Sequence, residues 1–177
     1  MVILDVKLNH VYGFDDFHVN FTYQRALKKG SPAVSLVGNE ALDGRPRFRY
    51  KRAVILMGSN ATGKTSLGRA LLSIFSSIKD ANEAFLRNLN SGDKPAEFQV
   101  DFVNEGFTMH RYCGFVDGEN VSIRYYSAEI GEMDAYKRVV EKLVDRTAEV
   151  NGNFRKLKEL VGSLEYRFAY PEIETSL

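Results

Sequence analysis

Residues 53–75, AVILMGSNATGKTSLGRALLSIF, join a continuously apolar run to an amphipathic one through a short loop flanked by glycines. Ala53 to Met57 read as a strand buried on both faces. Leu67, Ala70, Leu71, Ile74, Phe75 and Ile78 fall at i, i+3, i+4, i+7, i+8 and i+11, one face of an α-helix of about four turns. A buried strand, a tight loop and a helix in that order call for an α/β architecture with the strand ending at Met57 near its centre.

The loop itself, GSNATGKT at residues 58–65, matches GxxxxGK[ST]. Four constrained positions arise by chance in roughly 1% of chains this long, and the strand before the loop and the helix after it are the context the motif requires. The residue types follow from phosphate chemistry. Glycines let successive N–H groups of Gly58, Ser59, Asn60, Ala61, Thr62 and Gly63 point inward as an anion-binding nest, and the following helix, opening through Lys64, Thr65 and Ser66, offers its positive N-terminal end to the same phosphates. Lys64 is then the residue that reaches the β- and γ-phosphates and stabilises them, and the Thr65 hydroxyl the ligand for Mg²⁺. ATP and Mg²⁺ are the expected cofactors.

The rest of the chain is read as one domain. VILDVKL and FHVNFTY alternate on either side of the turn YGFDD, an opening β-hairpin over residues 1–23. Gln24 to Lys51 is rich in Gly, Pro, Lys and Arg and predicts loops around one or two short edge strands. A unit of strand, loop and helix occupies 45–80, and a helical stub and the turn SGDKP follow within 79–95. EFQVDFV, FTMHRYCGFV and VSIRYYSA, separated by NEG and DGEN, predict an antiparallel β-meander over 96–128. A helical segment is expected over 132–165, with Tyr136, Val139, Val140, Leu143 and Val144 on one face, then Phe154, Leu157, Leu160, Val161 and Leu164 on the face of a second stretch. The expected fold is thus α/β, a mixed sheet with an antiparallel β-lobe and a C-terminal helical segment.

Composition narrows the function classes. With 24 basic and 23 acidic side chains the net charge is +1, so any surface for a charged partner has to be local. The single cysteine, Cys113, excludes an internal disulfide framework, and His10, His18 and His110 are too scattered for metal-ligand spacing. No run approaches the roughly 20 apolar residues that span a bilayer, and the N-terminus MVILDVKLNH lacks a secretory pattern. A cytoplasmic location without membrane contact is expected.

The hairpin before the loop, Asn60 within GSNATGKT and the β-meander after the first helix together resemble the N-terminal lobe of ABC-type ATPases of the SMC, RecF and OLD kind. The likeness is closest to bacterial "AAA family ATPase" proteins related to OLD that accompany defence or toxin systems. It extends over about residues 1 to 130 and rests on KLNHVYGFDDFHVNF and YKRAVILMGSNATGKTSLGRAL. The resemblance implies a P-loop ATPase head in which ATP is sandwiched between two lobes, so that a second lobe or a homodimer partner is needed for hydrolysis, with DNA or an effector protein as the object of the switch. It further implies base contact from the first hairpin, for which Tyr12 and Phe14 are the candidates, and a γ-phosphate-sensing glutamine after the first helix, for which Gln99 is the candidate. Such ATPases also carry a signature resembling LSGG and an apolar run ending in Asp-Glu. Neither occurs in this sequence; FQVDF places Asp101 nearest to the acidic pattern, with Phe102 where the glutamate would stand. The sequence therefore reads as half of an ATPase: a truncated chain, a split protein, or a lobe that ends where a helical arm begins.

Two other readings stand beside it. A self-sufficient phosphotransferase would need an acidic base and lid arginines, for which Arg111, Arg124 and Arg138 are available; a non-catalytic module would hold ATP structurally. The run RPRFRYKR (45–52) puts Arg45, Arg47, Arg49 and Lys51 on one strand face with Phe48 and Tyr50 on the other, either a nucleic-acid strip or the charged face of an edge strand.

Overall fold

The computed structural model describes residues 1–23, 41–51, 63–90, 92–104 and 106–164. The strand expected at Ala53–Met57, the loop residues Gly58 to Thr62, Arg52 and the last residue of the 132–165 segment lie outside the described residues.

One six-stranded sheet organises the domain, in the order β2-β1-β5-β6-β7-β8. Its strands are β1 (Val2–Asn9), β2 (Phe17–Asn20), β5 (Ala96–Val103), β6 (Thr108–Asp117), β7 (Asn120–Glu129) and β8 (Val144–Asp145), and a separate hairpin pairs β3 (Ala41–Leu42) with β4 (Arg45–Arg49). Among the described residues every strand pair is antiparallel. The antiparallel lobe expected over 96–128 is therefore not separate from the opening hairpin, while the strand that would make the sheet mixed, at 53–57, lies outside the described residues. The opening hairpin and the meander are one sheet, because β1 pairs along its whole length with β5, about ninety residues later in the chain.

Helix α1 (Lys64–Lys79) lies on one face of this sheet. Its buried stripe of Leu67, Ala70, Leu71, Ile74, Phe75 and Ile78 meets Val6 and Leu8 of β1, Phe98, Val100 and Phe102 of β5, and Tyr112 of β6. Phe75 and Phe102 pack edge to face at 5.2 Å, a favoured aromatic geometry. Ser77, buried on the same stripe, is satisfied by the Ile74 carbonyl at 2.7 Å and by the Tyr112 hydroxyl at 3.1 Å, as a buried hydroxyl requires. The short α2 (Ala84–Arg87) follows α1 and buries Leu86.

The opposite face is divided. At one end Leu4, Val103, Met109 and Ala128 are covered by Phe48 of β4, Ile130 and Val139 of α3 (Tyr136–Glu141), forming a second apolar cluster. The remainder is polar, since strand alternation sends Asp5, Lys7, Gln99, Asp101, Arg111, Cys113 and Arg124 to this side.

The continuous helical segment expected after Gly131 is broken into α3, β8, α4 (Thr147–Val150) and α5 (Phe154–Val161). Leu143 and Val144 leave the predicted helix face: α3 stops at Glu141 and Val144 pairs with Ser127 at the sheet edge. The Arg146 amide bonds the Tyr125 carbonyl at 2.9 Å and the Tyr125 amide bonds the Thr147 hydroxyl at 3.1 Å, so satisfying the open β7 edge displaces helix continuation. In α5, Asn153 caps the amides of Arg155 and Lys156, and Phe154, Leu157 and Val161 are buried while Leu160 is exposed.

Candidate functional site

α1 begins at Gly63, whose φ of 85° and ψ of 4° are left-handed and suit a residue without a Cβ. The Leu67 amide closes the first turn onto the Gly63 carbonyl at 2.9 Å. Among the described residues no side chain caps this helix, and its first turn holds no acidic residue. The positive end of the dipole of a 16-residue helix lies at this start. Lys64 and Ser66 are half-buried and Thr65 is exposed.

The turn between β1 and β2 sits against this start. Phe14 reaches over Gly63: a Cβ built there would lie 3.0 Å from Cε1 and Cζ of the Phe14 ring. Phe14 in turn packs on Phe17 with ring centroids 4.6 Å apart. The turn is strained, with His10, Tyr12 and Asp16 all at positive φ (55°, 47° and 48°). Several bonds hold it in place: Phe14 N–H to the Val11 carbonyl at 2.8 Å, Asp16 N–H to Asn9 Oδ1 at 3.2 Å, and a His10–Asp15 contact at 3.2 Å. Tyr12 and Phe14 are half-buried against the α1 core. Phe14 and the helix start, selected separately in the sequence, thus come together.

Gln99 and Asp101 do not join them. Both lie on β5 with Phe98, Val100 and Phe102 facing α1, so their side chains occupy the other side of the sheet. Asp101 is fully buried there and saturated: Arg111 donates Nε and Nη2 at 2.7 and 2.8 Å, and the Tyr136 hydroxyl donates at 2.7 Å. Burial alone would lower the Arg111 pKa, but the hydrogen bonds and charge of Asp101 raise it well above its ordinary value. Burial, with Asp101 beside it, likewise pushes the Tyr136 phenol far up. This triad fastens α3 to the sheet.

The arginines weighed for a phosphotransferase lid are spread over that same side. Arg111 is spent on Asp101, Arg124 is exposed on β7, and Arg138 on α3 pairs with Glu141 at 3.2 Å. The basic strip is partly structural as well. Arg45 donates to the Ile130 carbonyl at 2.7 Å and covers the Phe107 ring at 3.9 Å, while Arg49 donates to the Pro46 carbonyl at 3.0 Å. Arg47 and Lys51 remain exposed.

Sequence reasoning overlooked Asp5, which is buried beside Asp101 as its cross-strand partner and receives His18 at 2.8 Å and Asn20 at 2.7 Å on Oδ1. The signal was present: aspartate is depleted in strands, and one in the middle of VILDVKL and another in FQVDFV call for buried partners. The three histidines stand apart, on Asp15, Asp5 and Tyr125, and among the described residues no group of three or more His, Cys, Asp or Glu side chains is placed to hold a metal. Burial pushes the Cys113 thiol up to about 11, leaving it protonated and inert. No helix among the described residues is long and apolar enough to cross a membrane. Comparison with protein-family models, with curated proteins and with solved structures finds no match.

Proposed function

We propose that this chain is the ATP- and Mg²⁺-binding lobe of a P-loop ATPase, a nucleotide-controlled switch whose hydrolysis needs a complementary lobe from a second copy or another protein. One observation carries the reading. GSNATGKT runs directly into α1 through a left-handed Gly63, and among the described residues the helix start has neither a side-chain cap nor an acidic first turn to oppose an anion. Those features fit a triphosphate. In this reading the backbone of Gly58 to Gly63 and the first-turn amides hold the phosphate oxygens, Lys64 sets a positive charge against the β- and γ-phosphates, and Thr65 holds Mg²⁺ by its hydroxyl. The metal, when bound, supplies charge neutralisation between the phosphates. Phe14, fixed over Gly63 by a strained turn, offers a face on which the base stacks.

The dependence on a partner follows from what the described residues lack. Asp101, the strand acid nearest to the expected pattern, is committed to Arg111 and Tyr136 on the far side of the sheet, and so orients no attacking water at α1. A partner lobe supplies that group in this account, and DNA or an effector protein receives the resulting change of association.

Calorimetric titration of ATP into the purified chain, with and without Mg²⁺ and beside Lys64→Ala, tests the proposal. Wild type binds, the substitution weakens binding by about 2–3 kcal/mol as expected for a charged hydrogen-bonded contact, and turnover by the chain alone is negligible. Brisk turnover alone would favour the self-sufficient phosphotransferase. Binding without turnover beside any added partner would leave a structural ATP module. Absence of binding would reject the nucleotide reading altogether.

A further inference from the structure

The open part of the sheet face turned away from α1 carries a second set of cations. Register places His18, Lys7, Gln99, Cys113 and Arg124 as successive partners across β2, β1, β5, β6 and β7. Above this row lies a hollow of about 460 Å³, with Phe115 exposed at its side. A second hollow of similar size, reaching Asn20, Arg111 and Lys137 beside α3, meets the first at Lys7 and His18.

The charges on this face are unevenly satisfied. The two buried acids are consumed internally, Asp101 by Arg111 and Tyr136, Asp5 by His18 and Asn20. Lys7 and Arg124 form no ion pair among the described residues. Asp145, the acid that senses Arg124, is itself bound to Thr147. Glu97 and Asp16 are exposed in the lining of the first hollow, Glu97 as the cross-strand partner of Phe115. The floor between the two cations is the neutral amide of Gln99 and the protonated thiol of Cys113.

Lys7 and Arg124 stand on strands three spacings apart, about 14 Å between backbones. Lysine and arginine side chains are several ångströms long and flexible, so the two heads can close on opposite ends of a molecule of metabolite size. Glu97 and Asp16 in the same lining oppose a long polyanion laid across the face more than a compact anion that reaches only Lys7 and Arg124. We propose that this groove binds a small organic molecule bearing two acidic groups, one held by Lys7 and the other by Arg124, with its carbon body against Phe115 and a hydrogen bond from Gln99. The site is independent of the α1 end and of the nucleotide reading.

Titration of the isotope-labelled full chain with succinate, citrate and inorganic pyrophosphate, followed by amide NMR shifts, tests it. Saturable shifts at Lys7, Gln99, Cys113 and Arg124 are expected, weakened at least about tenfold in Lys7→Gln and in Arg124→Gln, a loss in keeping with removing one charge-assisted contact. Both side chains are exposed and the variants are expected to fold like wild type, which their spectra will show. Shifts confined to Gly63–Leu67 would place the anion at α1 and overturn the proposal. So would shifts that survive both substitutions, no saturable shift below about 10 mM, the weak end of specific binding, or binding of a single-stranded oligonucleotide on this face with none of the three small anions.

Discussion

The edge of the Phe14 ring stands 3.0 Å from the point where a Cβ on Gly63 would lie. An alanine at Gly63 meets two penalties, a left-handed backbone and a ring with little room to retreat because Phe17 packs against it. Gly63→Ala is expected to cost about 1–2 kcal/mol from its backbone conformation, plus the contact with Phe14. In a Phe14→Ala background only the first part remains, so a double-mutant cycle by urea denaturation should give a coupling of at least about 0.5 kcal/mol. Equal costs in both backgrounds would mean that the turn does not rest on the helix start.

Asp101 and Arg111 make the second test. Arg111→Met leaves a fully buried carboxylate without its cation and is expected to destabilise the fold by about 3–5 kcal/mol. Tyr136→Phe removes one bond to the same carboxylate and should cost about 1.5–3 kcal/mol. Because the triad fastens α3 and faces away from α1, Mg²⁺·ATP affinity measured on the folded fraction of Asp101→Asn should equal that of wild type. A selective loss of the Mg²⁺-dependent part would give Asp101 the metal role that its sequence position suggested.

The helix α1 was legible because its stripe of Leu67, Ala70, Leu71, Ile74, Phe75 and Ile78 allows only one periodicity, and all six are buried. The runs that became β5, β6 and β7 were legible from alternation and from turn residues between them. The union of β1 with β5 was not, since strand pairing over some ninety residues leaves no local mark and only the shared inner face of Val6, Leu8, Phe98 and Val100 selects it. The stretch after Gly131 misled for a physical reason. Val139, Val140 and Leu143 fit a helix stripe, yet they only need to cover the second apolar cluster, and the open edge of β7 competes for the chain from Val144 onward. At the site, the GxxxxGK[ST] pattern was visible in one dimension, whereas Phe14 was singled out only through the family resemblance and its contact with Gly63 is a finding of the fold. The opposite-face placement of Gln99 and Asp101 needed only strict alternation against Phe98, Val100 and Phe102.

Gly114 offers a packing test within the sheet. A Cβ at this position would overlap the Phe98 ring, which is buried and packs edge to face on Tyr112 at 5.1 Å. Gly114→Ala is therefore overpacking, with an expected cost of about 1–3 kcal/mol. Phe98→Leu makes room at its own expense, and Gly114→Ala should then cost less in denaturant titration than in the wild-type background. An additive pair would show that the sheet yields by backbone movement instead.

His110 sets an acid limit on the fold. Its ring is buried between Phe102 and Tyr125, with Nδ1 bonded to the Tyr125 hydroxyl at 2.7 Å. Burial lowers its pKa from 6.5 to about 4, so the folded chain keeps it neutral where the unfolded chain does not. The sign follows from proton counting. Between pH 6.5 and 4 the unfolded state binds a proton that the folded state refuses, so stability falls as pH falls through that window and the slope from this group ends near pH 4. The full loss approaches about 3 kcal/mol at 1.36 kcal/mol per unit. The Asp134 carboxylate, held low first by its hydrogen bond from Lys142, acts only below its ordinary value of 3.8 and so does not overlap. Denaturation free energies measured from pH 7 to 4 on wild type and His110→Phe should diverge in slope, the variant losing less. Parallel curves would mean that His110 takes up its proton in the folded state, and that the Phe102–His110–Tyr125 stack opens to admit it.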